Sequence, residues 1–215
     1  MATPVSIAPA VSRGVNTLRV GFIVMIVAFA IAPFAGVYPV FLMKALCFAL
    51  FACAFNLLLG FGGLLSFGHA MFLGTAGYVS AHAAKEWGLS FELAVLTGTA
   101  ASALLGTLVG ALAIRRQGIY FAMITLAIAQ MMFFFYLQTP FTHGEDGIQA
   151  VPRGRLFGIL DLSSTMTMYY VVLTIFAAAF LLICRIVYSP FGQVLKAIRE
   201  NEPRAISLGY DADRY

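Results

Sequence analysis

Apolar positions in this chain form long runs instead of alternating with polar ones. Six runs of about twenty residues, the length a helix needs to cross a bilayer, lie near 19–38, 40–60, 63–84, 90–114, 118–138 and 167–187. The predicted fold class is therefore an all-α integral membrane protein. Its expected organisation is a tail over 1–18, a membrane domain over 19–187 and an extramembranous segment over 188–215. In the fourth run Ala94, Gly98, Ser102, Gly106 and Gly110 recur every four residues. That spacing puts small side chains on one helix face, where a neighbouring backbone can approach closely.

The second and third runs are separated by a glycine-rich break, with Gly60, Gly62, Gly63 and Gly68 inside nine residues. Glycine weakens a helix, and lipid offers no partner to freed backbone groups. Such a break must be buried in protein or line a wet cavity. A dinucleotide-binding loop would need a strand before it and a helix after it in a βαβ unit, a context this sequence lacks.

Residues 188–215 read differently. Ser189-Pro190 predicts an N-cap followed by proline at the first helical position. Phe191, Val194, Leu195 and Ile198 then keep helical spacing, with Gln193, Lys196, Arg199 and Glu200 on the other face. Asn201 is placed to cap a second short helix with Pro203 in its first turn, and Gly209 to end it. A membrane-surface helix on anionic lipid is one reading of this amphipathic pair. Four carboxylates (Glu200, Glu202, Asp211, Asp213) facing four cations (Lys196, Arg199, Arg204, Arg214) suit a docking element for a soluble protein better.

Composition narrows the class. Of the 215 residues 61% are hydrophobic and 10% charged, with mean hydropathy +0.93, against roughly 45–50% and about 25% for soluble domains. The net charge of +4 does not indicate nucleic acid, because the 13 basic residues are dispersed. With the N-terminus inside, Arg13, Arg19, Arg115, Arg116, Arg185, Lys196, Arg199, Arg204 and Arg214 face the cytoplasm. Only Lys44, Lys85, Arg153 and Arg155 face outward. That asymmetry obeys the positive-inside bias, so both ends of the chain are expected in the cytoplasm. Ala28-Phe29-Ala30 resembles a signal-peptidase site, but the five further runs favour a retained first span. Cys47, Cys53 and Cys184 sit in apolar runs and read as small buried hydrophobes.

Polar residues inside apolar spans are candidates for a translocation path, since burying them without partners is unfavourable. Asn56, Ser66, His69, Tyr78, Thr125 and Gln130 are of this kind. His69 fits either a functional ionisable group or a neutral imidazole held by a backbone carbonyl. His82, near the outer end of its span, fits the second reading. All nine carboxylates lie outside the spans or near their ends, which argues against an ion- or proton-coupled transporter with a buried acidic relay. His69, His82 and His143 are too dispersed for a helical metal site. The external loop 139–166, with His143, Glu145 and Asp146-Gly147 at its head, reads as a solvated turn that contacts an external partner, not as a metal site.

Several blocks together carry a resemblance. They are Asn56-Leu57-Leu58-Leu59-Gly60 through Ser66-Phe67-Gly68-His69-Ala70, with Phe72, Gly74, Gly77 and Tyr78. Then come Arg116, Gly118-Ile119-Tyr120-Phe121-Ala122, Thr125 and Leu126, and finally Ala197-Ile198-Arg199-Glu200-Asn201-Glu202 with Ala205 and Gly209. The chain resembles the permease subunit of branched-chain amino acid ABC importers, over most of 50–215. His143 stands where the family's external loop tends to carry the first glycine of Thr-Gly-Gly. Pro203 and Arg204 stand where the general coupling motif has Glu and Ala.

The resemblance implies alternating access in a bacterial inner-membrane importer. Its partners would be a homologous second permease, two cytoplasmic ATPases, a periplasmic binding protein and the surrounding lipid. It implies no cofactor and no catalytic residue in this chain, which has no GxxxxGK[ST] phosphate loop. Lys196, Ala197, Ile198, Arg199, Glu200, Asn201, Glu202, Ala205 and Gly209 would couple it to the ATPases. The expected substrate is a leucine-like amino acid, with urea or short amides as alternatives. The family pattern also leads one to expect further spans beyond Tyr215.

Overall fold

The structure is a computed structural model that describes residues 8–114, 118–156, 158 and 160–210. Arg115, Arg116, Asp211, Asp213 and Arg214, which entered the charge pattern, lie outside the described residues. So do the side chains of Arg13 and Arg19. Eight α-helices account for most of the described backbone. They are α1 (Ala8–Ile31), α2 (Pro39–Asn56), α3 (His69–Lys85), α4 (Phe91–Ala113), α5 (Ile119–Gln138), α6 (Thr165–Val187), α7 (Pro190–Glu200) and α8 (Glu202–Ser207). A two-residue antiparallel ribbon, β1 (Arg155–Leu156) with β2 (Leu160–Asp161), is the strand structure among the described residues.

Four segments are long and apolar enough to cross a membrane: Pro39–Phe61, Phe91–Ala113, Ile119–Gln138 and Thr165–Val187. The other two expected spans are shorter as apolar helices. In α1 the apolar portion is Val20–Ile31, and α3 has 17 residues. Two boundaries differ from the sequence expectation. The first helix runs from Ala8 to Ile31 instead of from about 19 to 38. Pro33 and Gly36 (φ +85°) turn the chain after Ile31. The third helix begins at His69, not near 63, because the glycines of the break leave residues 62–68 non-helical.

The helices pack in two groups. Leu42, Leu46, Tyr169, Leu173 and Phe176 form a buried core between α2 and α6, and Met25, Ile26 and Phe29 of α1 cover it. Hydroxyls at the start of α6 tie down the end of α1: Tyr169 donates to Phe29 O at 2.5 Å and Tyr170 to Ala30 O at 3.3 Å. In the second group α3 and α4 make the most extensive helix pair, and α5 packs on both.

The α3–α4 contact depends on the upper part of the small-residue stripe. A Cβ on Gly98 would lie 2.5 Å from Ala76 O and 2.9 Å from Ser80 Cβ. Ser102 Oγ donates to Phe72 O across the interface at 3.0 Å. Gly106 has only Phe72 Cε1 at 3.8 Å, and Gly110 has nothing within 4 Å. The stripe therefore narrows to a close approach at Gly98 and opens beyond Ser102.

The loop after α5 is folded onto the helices more than a solvated turn would be. Thr142 is fully buried, with its hydroxyl against the carbonyls of Tyr136 and Thr139. His82 Nδ1 lies 3.1 Å from Phe141 O, and the two rings overlap with centroids 3.9 Å apart. Glu145 and Asp146 remain exposed. His143 adopts φ +61°, a left-handed conformation that explains why glycine suits that position. Its Nε2 lies 3.6 Å from Glu86 Oε1, and both side chains are solvated. At the ribbon, Asp161 Oδ1 accepts Ser163 N at 3.0 Å, which holds the carboxyl below the usual carboxylate range.

Candidate functional site

The glycine-rich break is built by a change of helix type. After α2 the chain makes a π turn over Leu57–Phe61, a form common at functional sites in helices. Gly62 N donates to Leu57 O and Leu64 N to Leu58 O, each at 3.3 Å. In a continuing α-helix Leu64 N would have served Gly60 O; here it does not. Gly63 then takes φ +71°. Side chains are excluded along the turn: a Cβ on Gly60 would meet Asn56 Oδ1 at 2.6 Å, and one on Gly62 would meet Leu58 O at 2.8 Å.

Three of the six predicted path residues converge just after this turn. Ser66 is buried, and its Oγ accepts Gly68 N at 3.2 Å. Thr125, also buried, accepts Phe67 N at 3.2 Å and donates to Ala122 O at 2.9 Å. A Cβ on Gly68 would lie 3.3 Å from Thr125 Cβ and carbonyl, so α5 holds the non-helical backbone at close range. The two hydroxyls thus supply partners that lipid cannot. His69 opens α3 with Nδ1 3.4 Å from Ser66 O. Its ring is met nearly edge-on by Phe55, Phe72 and Phe51, at centroid distances of 5.1, 6.2 and 6.3 Å. This is the geometry of an imidazole held by a backbone carbonyl among aromatic rings.

The remaining candidates lie elsewhere. Asn56 is exposed, with its amide oxygen turned toward Gly60, and Gln130 is exposed on α5. The Tyr78 ring lies tilted against Tyr136 with centroids 5.0 Å apart, and Tyr136 is a residue the sequence reading passed over. Tyr136 belongs to a second buried polar group: Thr75 Oγ1 donates to Met71 O at 2.6 Å and lies 2.6 Å from Tyr136 Oη. Because the Thr75 proton is used on Met71, Tyr136 must be the donor to Thr75. A sequence signal existed, since Thr75 and Tyr78 are i,i+3 neighbours and Tyr136 carries a hydroxyl in an otherwise apolar run.

The α7–α8 helix pair forms as its caps dictate. Ser189 Oγ accepts Gly192 N at 3.3 Å and Asn201 Oδ1 accepts Arg204 N at 3.1 Å, with Pro190 and Pro203 in the first turns. Gly209, at φ +90°, closes α8 with Gly209 N to Ile206 O and Tyr210 N to Ala205 O, the paired bonds of a Schellman motif. Val194 and Ala205 are buried, and Leu195, Ile198 and Glu202 half-buried. Lys196, Ala197, Glu200, Asn201 and Gly209 are exposed. Phe191, expected on the inward face, is 44% exposed, because Gly192 occupies the tight place against α6. A Cβ there would lie 2.6 Å from Ile186 O.

Arg199 is exposed, as expected, but it also makes a contact back toward the membrane helices. Its stem passes over Gly63, where a Cβ would meet Arg199 Cγ at 2.8 Å, and its guanidinium donates to Gly60 O. Arg199 is seven residues, about two turns, beyond the buried Gly192, which puts it at the edge of the inward face, and a long side chain reaches back from there.

Comparison with known proteins gives a family. Residues 38–215 match the family described as branched-chain amino acid transport system, permease component. The chain is 28% identical over 182 residues to the high-affinity branched-chain amino acid transport system permease protein LivM of Salmonella typhimurium. It is 27% identical over 183 residues to the protein of the same name from Escherichia coli K12. Each alignment covers 74% of this chain and 43% of the relative, so the chain spans less than half the length of the curated relatives it matches. No solved structure matches.

Proposed function

Since this chain belongs to the branched-chain amino acid transport system permease family, we propose that it is the transmembrane subunit of an ATP-driven importer. It carries leucine-like amino acids across the inner membrane by alternating access. It pairs with a homologous second permease, two cytoplasmic ATPases that hydrolyse the nucleotide, and a periplasmic binding protein that delivers substrate. The chain itself contributes no catalytic residue.

Six crossings with both ends in the cytoplasm account best for the placement of charges and contacts. The α1 C-terminus meets the α6 N-terminus through Tyr169 and Tyr170, and the α3 C-terminus meets the loop after α5 through His82. Those ends share the outer side. The π turn and α7 meet at the opposite side, where the basic residues gather.

The observation that carries the reading is the pair formed by a broken membrane helix and a capped, amphipathic α7–α8 element leaving α6. A π turn at the end of a span, followed by non-helical backbone, is a hinge between α2 and α3, and α7–α8 is a compact handle for a soluble motor. Residues 190–209 engage the ATPase, and α2, α3 and α5 reorient around the break. Ser66, His69, Tyr78 and Thr125 flank the path, with Asn56 and Gln130 turned toward the second permease or lipid.

Uptake of labelled leucine by cells with and without the gene tests this. Gene-dependent uptake that vanadate abolishes and excess urea leaves unchanged is the expected result. Gene-dependent uptake of labelled urea alone would keep the transporter and overturn the substrate. Uptake that resists vanadate but collapses with the proton gradient would replace the ATP-driven importer by a secondary transporter.

A further inference from the structure

Gly60 O is one of the backbone acceptors that the π turn leaves without an α-helical partner, because Leu64 N is drawn to Leu58 O. It lies at the C-terminal end of a membrane helix, where carbonyl dipoles leave partial negative charge and favour a cation. Arg199, from α7, donates to that carbonyl. Its aliphatic stem fills the space that the missing side chain of Gly63 leaves open, since a Cβ there would reach Arg199 Cγ at 2.8 Å and Cδ at 3.3 Å. Gly63 is thereby required twice, by its φ of +71° and by the passing arginine. A second link runs through Gly192, whose bare Cα lets α7 lie against the end of α6.

We infer that Arg199 is a positioning residue acting within the chain: it clasps α7 to the π turn so that displacement of α7 moves the hinge of α2. This rests on the proposed transport function but changes Arg199's place in it, from a contact with the ATPase to the joint between the handle and the membrane hinge. The guanidinium suits the joint because it stays charged and can hold one carbonyl while its other N–H groups remain solvated. Exposed Lys196 and Glu200 are left to face the motor.

Arg199→Ala, Arg199→Lys and Gly63→Ala, each made in the full transporter in proteoliposomes, test the clasp. Gly63→Ala obstructs the arginine's seat without altering any charge on α7. Losing a charge-assisted hydrogen bond shifts such an equilibrium by about tenfold or more. Leucine taken up per ATP hydrolysed should therefore fall about tenfold in both alanine variants, with the ATPases still co-purifying, and Arg199→Lys should recover most of it. Release of the ATPases by Arg199→Ala but not by Gly63→Ala would overturn the inference and return Arg199 to the docking surface. An unchanged uptake-to-hydrolysis ratio would overturn it equally. Amide exchange across 57–64 and 190–200, read without nucleotide, reports the clasp independently of transport. Faster exchange in both alanine variants supports it, and unchanged exchange refutes it even if the wild-type complex moves no leucine.

Discussion

Gly98→Ala is the sharpest probe of how the membrane helices are held together, because the same stripe contains its own control at Gly110. The new methyl would sit 2.5 Å from Ala76 O and 2.9 Å from Ser80 Cβ, whereas carbon–oxygen contacts settle at roughly 3.3–3.6 Å. The α3 and α4 backbones must therefore separate by about 1 Å, enough to forfeit a quarter to a half of the dispersion energy along that contact. Overpacking of this kind costs about 1–3 kcal/mol. The Ser102–Phe72 hydrogen bond, now 3.0 Å, would stretch out of range, at a further cost of about 0.6 kcal/mol. Alanine's better helix propensity returns about 1 kcal/mol. At Gly110 the same methyl meets nothing within 4 Å, so only the propensity gain of about 1 kcal/mol applies. The two variants should differ by about 2–4 kcal/mol on these figures. Unfolding of each purified variant in mixed micelles against a denaturing detergent measures that gap. Equal stability of Gly98→Ala and Gly110→Ala would refute the assignment of the close approach to Gly98.

Three further substitutions test the same packing. Tyr136→Phe deprives the Thr75 oxygen of a donor, whereas Thr75→Val strands a buried Tyr136 hydroxyl. The valine variant should lose about 1–3 kcal/mol and the phenylalanine variant about 0.6 kcal/mol in the same unfolding assay, and the reverse order would show that the proton runs from Thr75 to Tyr136. Gly192→Ala forces a methyl to 2.6 Å from Ile186 O and should cost about 1–3 kcal/mol locally. The measurable result is accelerated amide exchange throughout α7 with α2 and α6 unchanged, and uniform protection across α7 would disprove the tight seat.

What the sequence revealed and what it concealed divide along the range of the interactions. Caps are local: Ser189, Asn201 and Gly209 sit within four residues of the groups they satisfy, so α7 and α8 were legible residue by residue. The break was legible too, because four glycines in nine residues defeat a helix whatever surrounds them. Its internal form was not. Whether Leu64 N bonds to Gly60 or to Leu58 turns on a π turn that no composition encodes, and with it goes the identity of the free carbonyl. The same limit explains Thr125. Polarity in an apolar run marked both Ser66 and Thr125, and Ser66 accepts locally from Gly68 N, but the role of Thr125 as partner for Phe67 N depends on α5 meeting the break across 58 residues of sequence. The contacts of Tyr136 and Arg199 were not legible for a related reason. A single aromatic hydroxyl looks like packing until Thr75 is found beside it. A cation near the border of an amphipathic face has two ways to turn, and only the neighbouring Gly63 decides between them.

That dependence on long-range partners bears on mechanism. In a bilayer, apolar burial does not distinguish one helix arrangement from another as strongly as in water, since lipid is as apolar as a leucine side chain. Alternative arrangements are then separated mainly by close-packed small residues and by backbone groups that must find partners. In this chain those determinants sit in different places. Gly98 and Ser102 fasten α4 to α3, and the Tyr136–Thr75 pair fastens α5 to α3, well away from the π turn. The break itself is held by single contacts from Thr125, Ser66, His69 and Arg199, each to one backbone group of the break. A fold fastened firmly between α3, α4 and α5 but by single bonds around Gly60–Gly68 concentrates its freedom at the hinge. The element that reaches the hinge from outside the membrane domain is α7.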